Sequence, residues 1–121
     1  MKFQPDPAIG PSITGYGPGW VTVNGEKFSS SLLVNSHASH SPWNCTGFED
    51  LRANHFEELA ALGPELVIFG SGARIRFPDP RWLEALYVRR IGLETMDTQA
   101  ACRTFNFLAG EGRRVVAALL L

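Results

Sequence analysis

Cysteine is scarce in this chain. Its two thiols, Cys45 and Cys102, are too few and too far apart to build the disulfide framework of a small secreted domain. Net charge is also small: eleven basic against twelve acidic side chains leave −1, so no overall pull toward nucleic-acid phosphates or anionic lipid is expected. Nine of the eleven basic residues are arginine, but they are scattered and form no basic footprint. Long hydrophobic runs are missing. The longest, Val115 to Leu121, has seven residues, far from the ~20 that cross a bilayer. The opening Met1-Lys2-Phe3-Gln4-Pro5-Asp6-Pro7 has neither the apolar segment of a secretory signal nor the acid-free, arginine-rich character of a transit peptide. These absences set the expectation of a cytoplasmic protein with no nucleic-acid partner and no membrane insertion.

What is present suits one domain. With 121 residues and 45% hydrophobic side chains, the chain can bury roughly two thirds of its unfolded surface. Residues 1–12, proline-rich and bounded by Gly10-Pro11, are expected to form a poorly ordered lead-in, leaving 13–121 as a single α/β domain. Trp20-Val21-Thr22-Val23 and Glu26-Lys27-Phe28 favour strand and flank Asn24-Gly25, the pair that best adopts a type I′ hairpin turn. The second arm is expected to continue through Ser29-Ser30-Ser31 into Leu32-Leu33-Val34. Asn35 to Thr46 shows no strand or helix period and reads as loop.

A helix is predicted from about Asn54, with Glu57 as capping-box partner and Phe56, Leu59 and Ala60 on one face, ending at Gly63-Pro64. Glu65 to Phe69 reads as a buried strand opening into Gly70-Ser71-Gly72. Asp79-Pro80 starts a helix with Leu83, Leu86 and Tyr87 on one face and Arg89 and Arg90 in its last turn. Strand Leu93 to Met96, a helix capped by Asp97 or Thr98, the turn Gly110-Glu111-Gly112 and the apolar C-terminal strand complete a β-α-β-α-β series. Such alternation predicts parallel neighbours joined by right-handed crossovers. With antiparallel strands from the N-terminal β-hairpin, a mixed sheet is expected.

Parallel strands ending at Phe69 and Met96 would bring Gly70, Ser71, Gly72, Asp97 and Thr98 to one sheet edge, where open α/β sheets bind ligands. Glycines admit close approach and a helix start offers free amides. The competing reading is that Asp97 and Thr98 simply cap the helix and the glycines form a strand-exit turn. Gln99, Arg103 and Asn106 share one face of the last helix, able to line a cleft and grip a carboxylate or carbonyl, or else to form an ordinary solvated face, or to leave Arg103 paired structurally with Glu111 or Glu94. Glu111 is expected to pair with Arg113 or Arg114. Ser71 lacks the nucleophile-elbow pattern and an identifiable histidine partner. His37, His40 and Cys45 lack a fourth ligand for zinc. Cys102 reads as an inert buried thiol, and Trp43 as a residue folded over the core. No catalytic residue, metal or cofactor is assigned.

Gly70-Ser71-Gly72, Gly92, Glu94, Met96-Asp97-Thr98, Ala101, Arg103-Thr104, Phe105-Asn106, Leu108 and Glu111-Gly112-Arg113-Arg114-Val115 resemble the signature of a small-domain family. That family includes mitochondrial complex I assembly factor 3 and bacterial and archaeal homologues of unknown function. The resemblance is good from Glu65 to Leu121, weaker over the hairpin and poor from Asn35 to Leu51, and Phe105 replaces a tyrosine often found there. It implies a three-layer α/β domain with a central mixed sheet and a role through protein contacts. It supplies no catalytic residues. Two functions follow as expectations: a non-catalytic interaction or assembly-factor-like module, monomeric or weakly dimeric, or a small-molecule binder or enzyme using the crevice near Ser71, Asp97, Arg103 and Asn106.

Overall fold

The structure, a computed structural model, describes residues 10–121. The first nine residues of the expected lead-in lie outside them. The chain forms strands β1 (Ile13–Gly17), β2 (Trp20–Val23), β3 (Glu26–Phe28), β4 (Leu32–Asn35) and β5 (His40–Pro42), then α1 (Ala53–Ala61), β6 (Leu66–Gly70), α2 (Glu84–Val88), β7 (Gly92–Met96), α3 (Thr98–Gly110) and β8 (Val115–Leu119). Two sheets result: a three-stranded one ordered β1-β2-β3 and a five-stranded one ordered β5-β4-β8-β6-β7.

The large sheet is mixed. β7, β6 and β8 are parallel, whereas β4 runs antiparallel to both β8 and β5. β8 lies at the centre because its side chains are apolar on both faces: Val115, Ala117 and Leu119 enter one core, Val116, Ala118 and Leu120 the other. The first core is closed by α3 and the small sheet through Cys102, Phe105, Val21 and Val23. The second is closed by α1, α2 and the preceding loop, with Phe56, Leu59, Leu86 and Trp43. Three layers therefore stack as α3 with the small sheet, the five-stranded sheet, and α1 with α2.

The Asn24-Gly25 turn forms as expected, both residues at positive φ (50° and 87°). Other expectations change. The antiparallel strands of the mixed sheet come from β4 and β5, while the N-terminal hairpin makes its own sheet. Ser29-Ser30-Ser31 does not extend β3; there the chain crosses between sheets, since Phe28 faces the small-sheet core and Leu32 pairs with Leu119. Within the expected loop, His40–Pro42 pairs with β4. Its three residues are too few to show a period.

α1 starts one residue earlier than Asn54, and its cap is not Asn54 with Glu57. The Arg52 amide donates to His55 Nδ1 at 3.0 Å, and His55 Nε2 donates to the Asn44 carbonyl at 2.9 Å. Asp79 does accept from the Arg81 amide, but the helix it opens is one 3-10 turn followed by the short α2. Leu83 and Leu86 are buried on that element, whereas Tyr87 is exposed and Arg89 and Arg90 follow the helix.

Candidate functional site

β6 and β7 end side by side, as parallel pairing requires, with Gly70 opposite Met96. Gly70 is needed there because a Cβ would lie 3.0 Å from both Thr98 Cα and Thr98 Oγ1. The start of α3 thus sits directly against the end of β6. Thr98 then ties three segments together: its hydroxyl donates to the Leu120 carbonyl at 2.6 Å and accepts from the Gly72 amide at 2.8 Å, while its own amide donates to the Gly72 carbonyl at 2.9 Å. Asp97 Oδ1 accepts from the Ala100 amide at 3.0 Å, which is an N-cap bond.

Ser71 is buried and fully engaged. Its hydroxyl donates to the Arg74 carbonyl at 2.7 Å and accepts from the Arg76 amide at 2.9 Å, pinning the loop that leaves β6. A nucleophilic serine needs its proton directed at a base; this one is directed at a backbone oxygen.

Arg103 and Asn106 belong elsewhere. They are carried by the flank of α3 that meets β1, and they do not line the crevice at the strand ends. Asn106 Oδ1 accepts from the Ile13 amide at 2.9 Å and its Nδ2 donates to the Ile13 carbonyl at 2.7 Å, so one side chain imitates a neighbouring strand. Arg103 Nη1 donates to the Tyr16 hydroxyl at 3.2 Å with its guanidinium 5.9 Å from the ring centre. That hydrogen bond raises an already high pKa, so the group stays cationic. Arg103 forms no ion pair with Glu94 or Glu111 among the described residues. Nor does Glu111 take Arg113, which pairs with Glu65 at 2.9 Å and holds that carboxyl below its ordinary pKa.

The expected crevice exists with different walls. A cavity of about 490 Å³ opens beside Gly72, Asp97 and Gln99, and its far side is Gly17 and Gly19 of the β1–β2 turn. Sequence reasoning missed that turn, although Gly17-Pro18-Gly19 between two strand-like segments is a turn signal. Asp97 is the charged side chain in the lining, so the cavity favours a neutral or cationic ligand over an anion.

Other sequence candidates separate. His37 Nδ1 lies 3.1 Å from Ser36 Oγ, His40 packs on Phe28, and Cys45 donates to the Gly47 carbonyl. Among the described residues, no three His, Cys, Asp or Glu side chains are grouped to hold a metal. Cys102 is buried in α3, where desolvation pushes its thiol up to about 11. Trp43 is buried over the core, edge-on to Phe69.

Comparison with known proteins finds relatives in sequence and in fold. A family profile described as a protein of unknown function (DUF498/DUF598) matches residues 13–120. Bovine (Bos taurus) NADH dehydrogenase (ubiquinone) 1 alpha subcomplex assembly factor 3 is 36% identical over 111 residues, covering 89% of this chain; the chain spans only 59% of that relative. An uncharacterized protein of Rhodobacter capsulatus is 40% identical over 111 residues, with 89% of this chain and 82% of the relative covered. The crystal structure of a Bordetella parapertussis protein superimposes with a TM-score of 0.86 at 37% identity, covering 91% of this chain and 94% of that one. A Bordetella pertussis protein described as a Mth938-like domain gives a TM-score of 0.85 at 30% identity, covering 99% and 90%.

Proposed function

The chain belongs to the DUF498/DUF598 family of proteins of unknown function, and from that premise we propose that it is a cytoplasmic, non-catalytic protein-interaction module that assists assembly of a respiratory NADH dehydrogenase. Relatives named as assembly factor 3 of that enzyme align with 89% of the chain. The observation that carries the non-catalytic part is the use of the polar groups: Ser71, Asp97, Thr98, Arg103 and Asn106 are engaged by backbone groups or by Tyr16. Their hydrogen bonds support the fold. No helix among the described residues is long and apolar enough to cross a membrane.

The test is removal of the chain from its source cells, followed by native electrophoresis of the membranes. Accumulated subcomplexes with depleted full-size NADH dehydrogenase are expected, restored by the wild-type chain. Normal levels of the full-size enzyme would contradict the proposal.

A second reading rests on the 490 Å³ cavity, whose volume lies in the range of small-molecule sites. It takes the strand-end crevice as a binding site for a neutral or cationic metabolite, with Gln99 and the outer Asp97 oxygen as contacts. Thermal shift against a metabolite panel tests it, because a ligand at about 100 times its Kd adds ~2.7 kcal/mol. A flat response across neutral and cationic metabolites removes this reading.

A further inference from the structure

The two sheets present four edges, and three of them are blunted. β5 has three residues and ends at Pro42. β3 has three residues, among them Glu26 and Lys27. β1 is covered at Ile13 by the Asn106 amide. β7 is different: it has five residues, no proline, and an unbroken register against β6.

Its outer hydrogen-bonding groups can be identified. The Gly92 amide donates to the Glu65 carbonyl and the Met96 carbonyl accepts from the Ser71 amide, so residues 92 and 96, and by alternation Glu94, turn inward to β6. Leu93 and Thr95 therefore turn their amides and carbonyls outward. No described segment pairs with that edge.

Alongside runs an open groove of about 680 Å³, lined by Leu83, Ile91 and Leu93 together with Phe77 and Tyr87. Phe77 is 70% and Tyr87 60% exposed. Arg90 and Glu94 flank the same groove, both exposed and neither in an ion pair among the described residues.

These features fit a second copy of the chain. Antiparallel β7–β7 pairing that matches outward groups allows a two-fold axis at Leu93, Glu94 or Thr95. An axis at Glu94 sets two carboxylates directly opposite, which destabilises. An axis at Thr95 puts Glu94 opposite Met96 and gains no charge pair. An axis at Leu93 puts Glu94 opposite Gly92, which has no side chain, with Arg90 of the other copy as one diagonal neighbour and its Glu94 as the other, so each carboxylate gains an opposite charge and the two acids are no longer directly opposed. Arg90, at φ 56°, precedes the strand, so its long side chain has to bridge the remaining gap when the two copies meet. Of the three registers this one alone brings an opposite charge beside Glu94, and it does so only when the partner is a second copy of the chain.

We propose that β7 pairs antiparallel with β7 of a second copy about a two-fold axis at Leu93, joining two five-stranded sheets and setting Glu94 of each copy beside Arg90 of the other. Leu93 meets Leu93 on the α2 side, where Phe77 and Tyr87 lie beside the seam. The pairing satisfies the outward amide and carbonyl of Leu93 in both copies and covers apolar surface in a single contact; the Ile91 amide, already donated to the Leu86 carbonyl, takes no part.

Sedimentation equilibrium of the full chain tests this, with a dimer expected to approach twice the 13.3 kDa chain mass. Glu94→Arg or Arg90→Glu alone puts like charges on the diagonal and should raise the dimer Kd at least about tenfold. The double variant E94R/R90E exchanges the charges and should restore dimerisation; since it carries both substitutions, a native circular dichroism spectrum for all three separates lost pairing from lost folding. A monomer at every concentration leaves β7 to some other partner and overturns the proposal. A dimer indifferent to either single change places the interface elsewhere, and a double variant that fails to recover rejects the register; both overturn it as well.

Discussion

Asn106 holds the small sheet to α3 through the two backbone groups of one residue, Ile13. An amide is suited to this because it donates and accepts at once, so one side chain replaces a neighbouring strand. Asn106→Ala should cost about 1–3 kcal/mol, because both backbone groups of a buried strand start lose their partner. Asn106→Asp discriminates further: it keeps the acceptor for the Ile13 amide but faces the Ile13 carbonyl with negative charge, so it should be no better than alanine. Urea titration reads both, and an unchanged midpoint would remove the docking role. Cys102 makes a pH prediction. Burial raises its thiol from the ordinary 9.0 to about 11, so between those values the unfolded chain loses a proton that the folded chain keeps. Its contribution to stability is complete below about pH 9 and falls as pH rises toward 11. Cys102→Ala should flatten that decline, although burial pushes Cys45 in the same direction and leaves part of it. Equal slopes with and without Cys102 would contradict the assignment.

At the scale of elements, α1 depends on a histidine. His55 accepts from the Arg52 amide and donates to the Asn44 carbonyl, so one ring caps the helix and anchors the preceding loop. His55→Ala should cost about 2 kcal/mol and raise amide exchange in the first turn of α1 and around Asn44. Unchanged exchange at both places would show that the ring is not the anchor. This cap was not legible in the sequence, because arginine and histidine are not the usual capping pair and Asn54 with Glu57 offered the familiar pattern. The short β5 was illegible for a similar reason: three residues carry no period, and the pairing is decided by β4. By contrast Asn24-Gly25, the strand before Gly70 and the helix after Asp97 were legible, since each is marked by residues whose backbone or capping preference is strong. The serines at 29–31 mislead, as nothing local distinguishes an exposed strand from a crossing between sheets.

Across the whole molecule, the three layers follow from a central strand apolar on both faces, and the mixed sheet from antiparallel β4 and β5 joining the parallel β8, β6 and β7. The candidate site was legible in part. Parallel pairing brought Gly70, Ser71, Gly72, Asp97 and Thr98 together, but Arg103 and Asn106 shared a helix face whose neighbour, β1, could not be placed from local pattern. The far wall of the cavity comes from the same unplaced sheet. In the proposed division of labour, the polar residues at the strand ends and along α3 maintain the fold while function runs through protein contact. Its most direct test is complementation of cells lacking the chain by Asp97→Ser, which retains a helix cap but removes the carboxylate, combined with Gln99→Ala, whose side chain is exposed. Wild-type stability and full recovery of NADH dehydrogenase assembly are expected. A variant equally stable but unable to restore assembly would contradict it and return the function to the crevice.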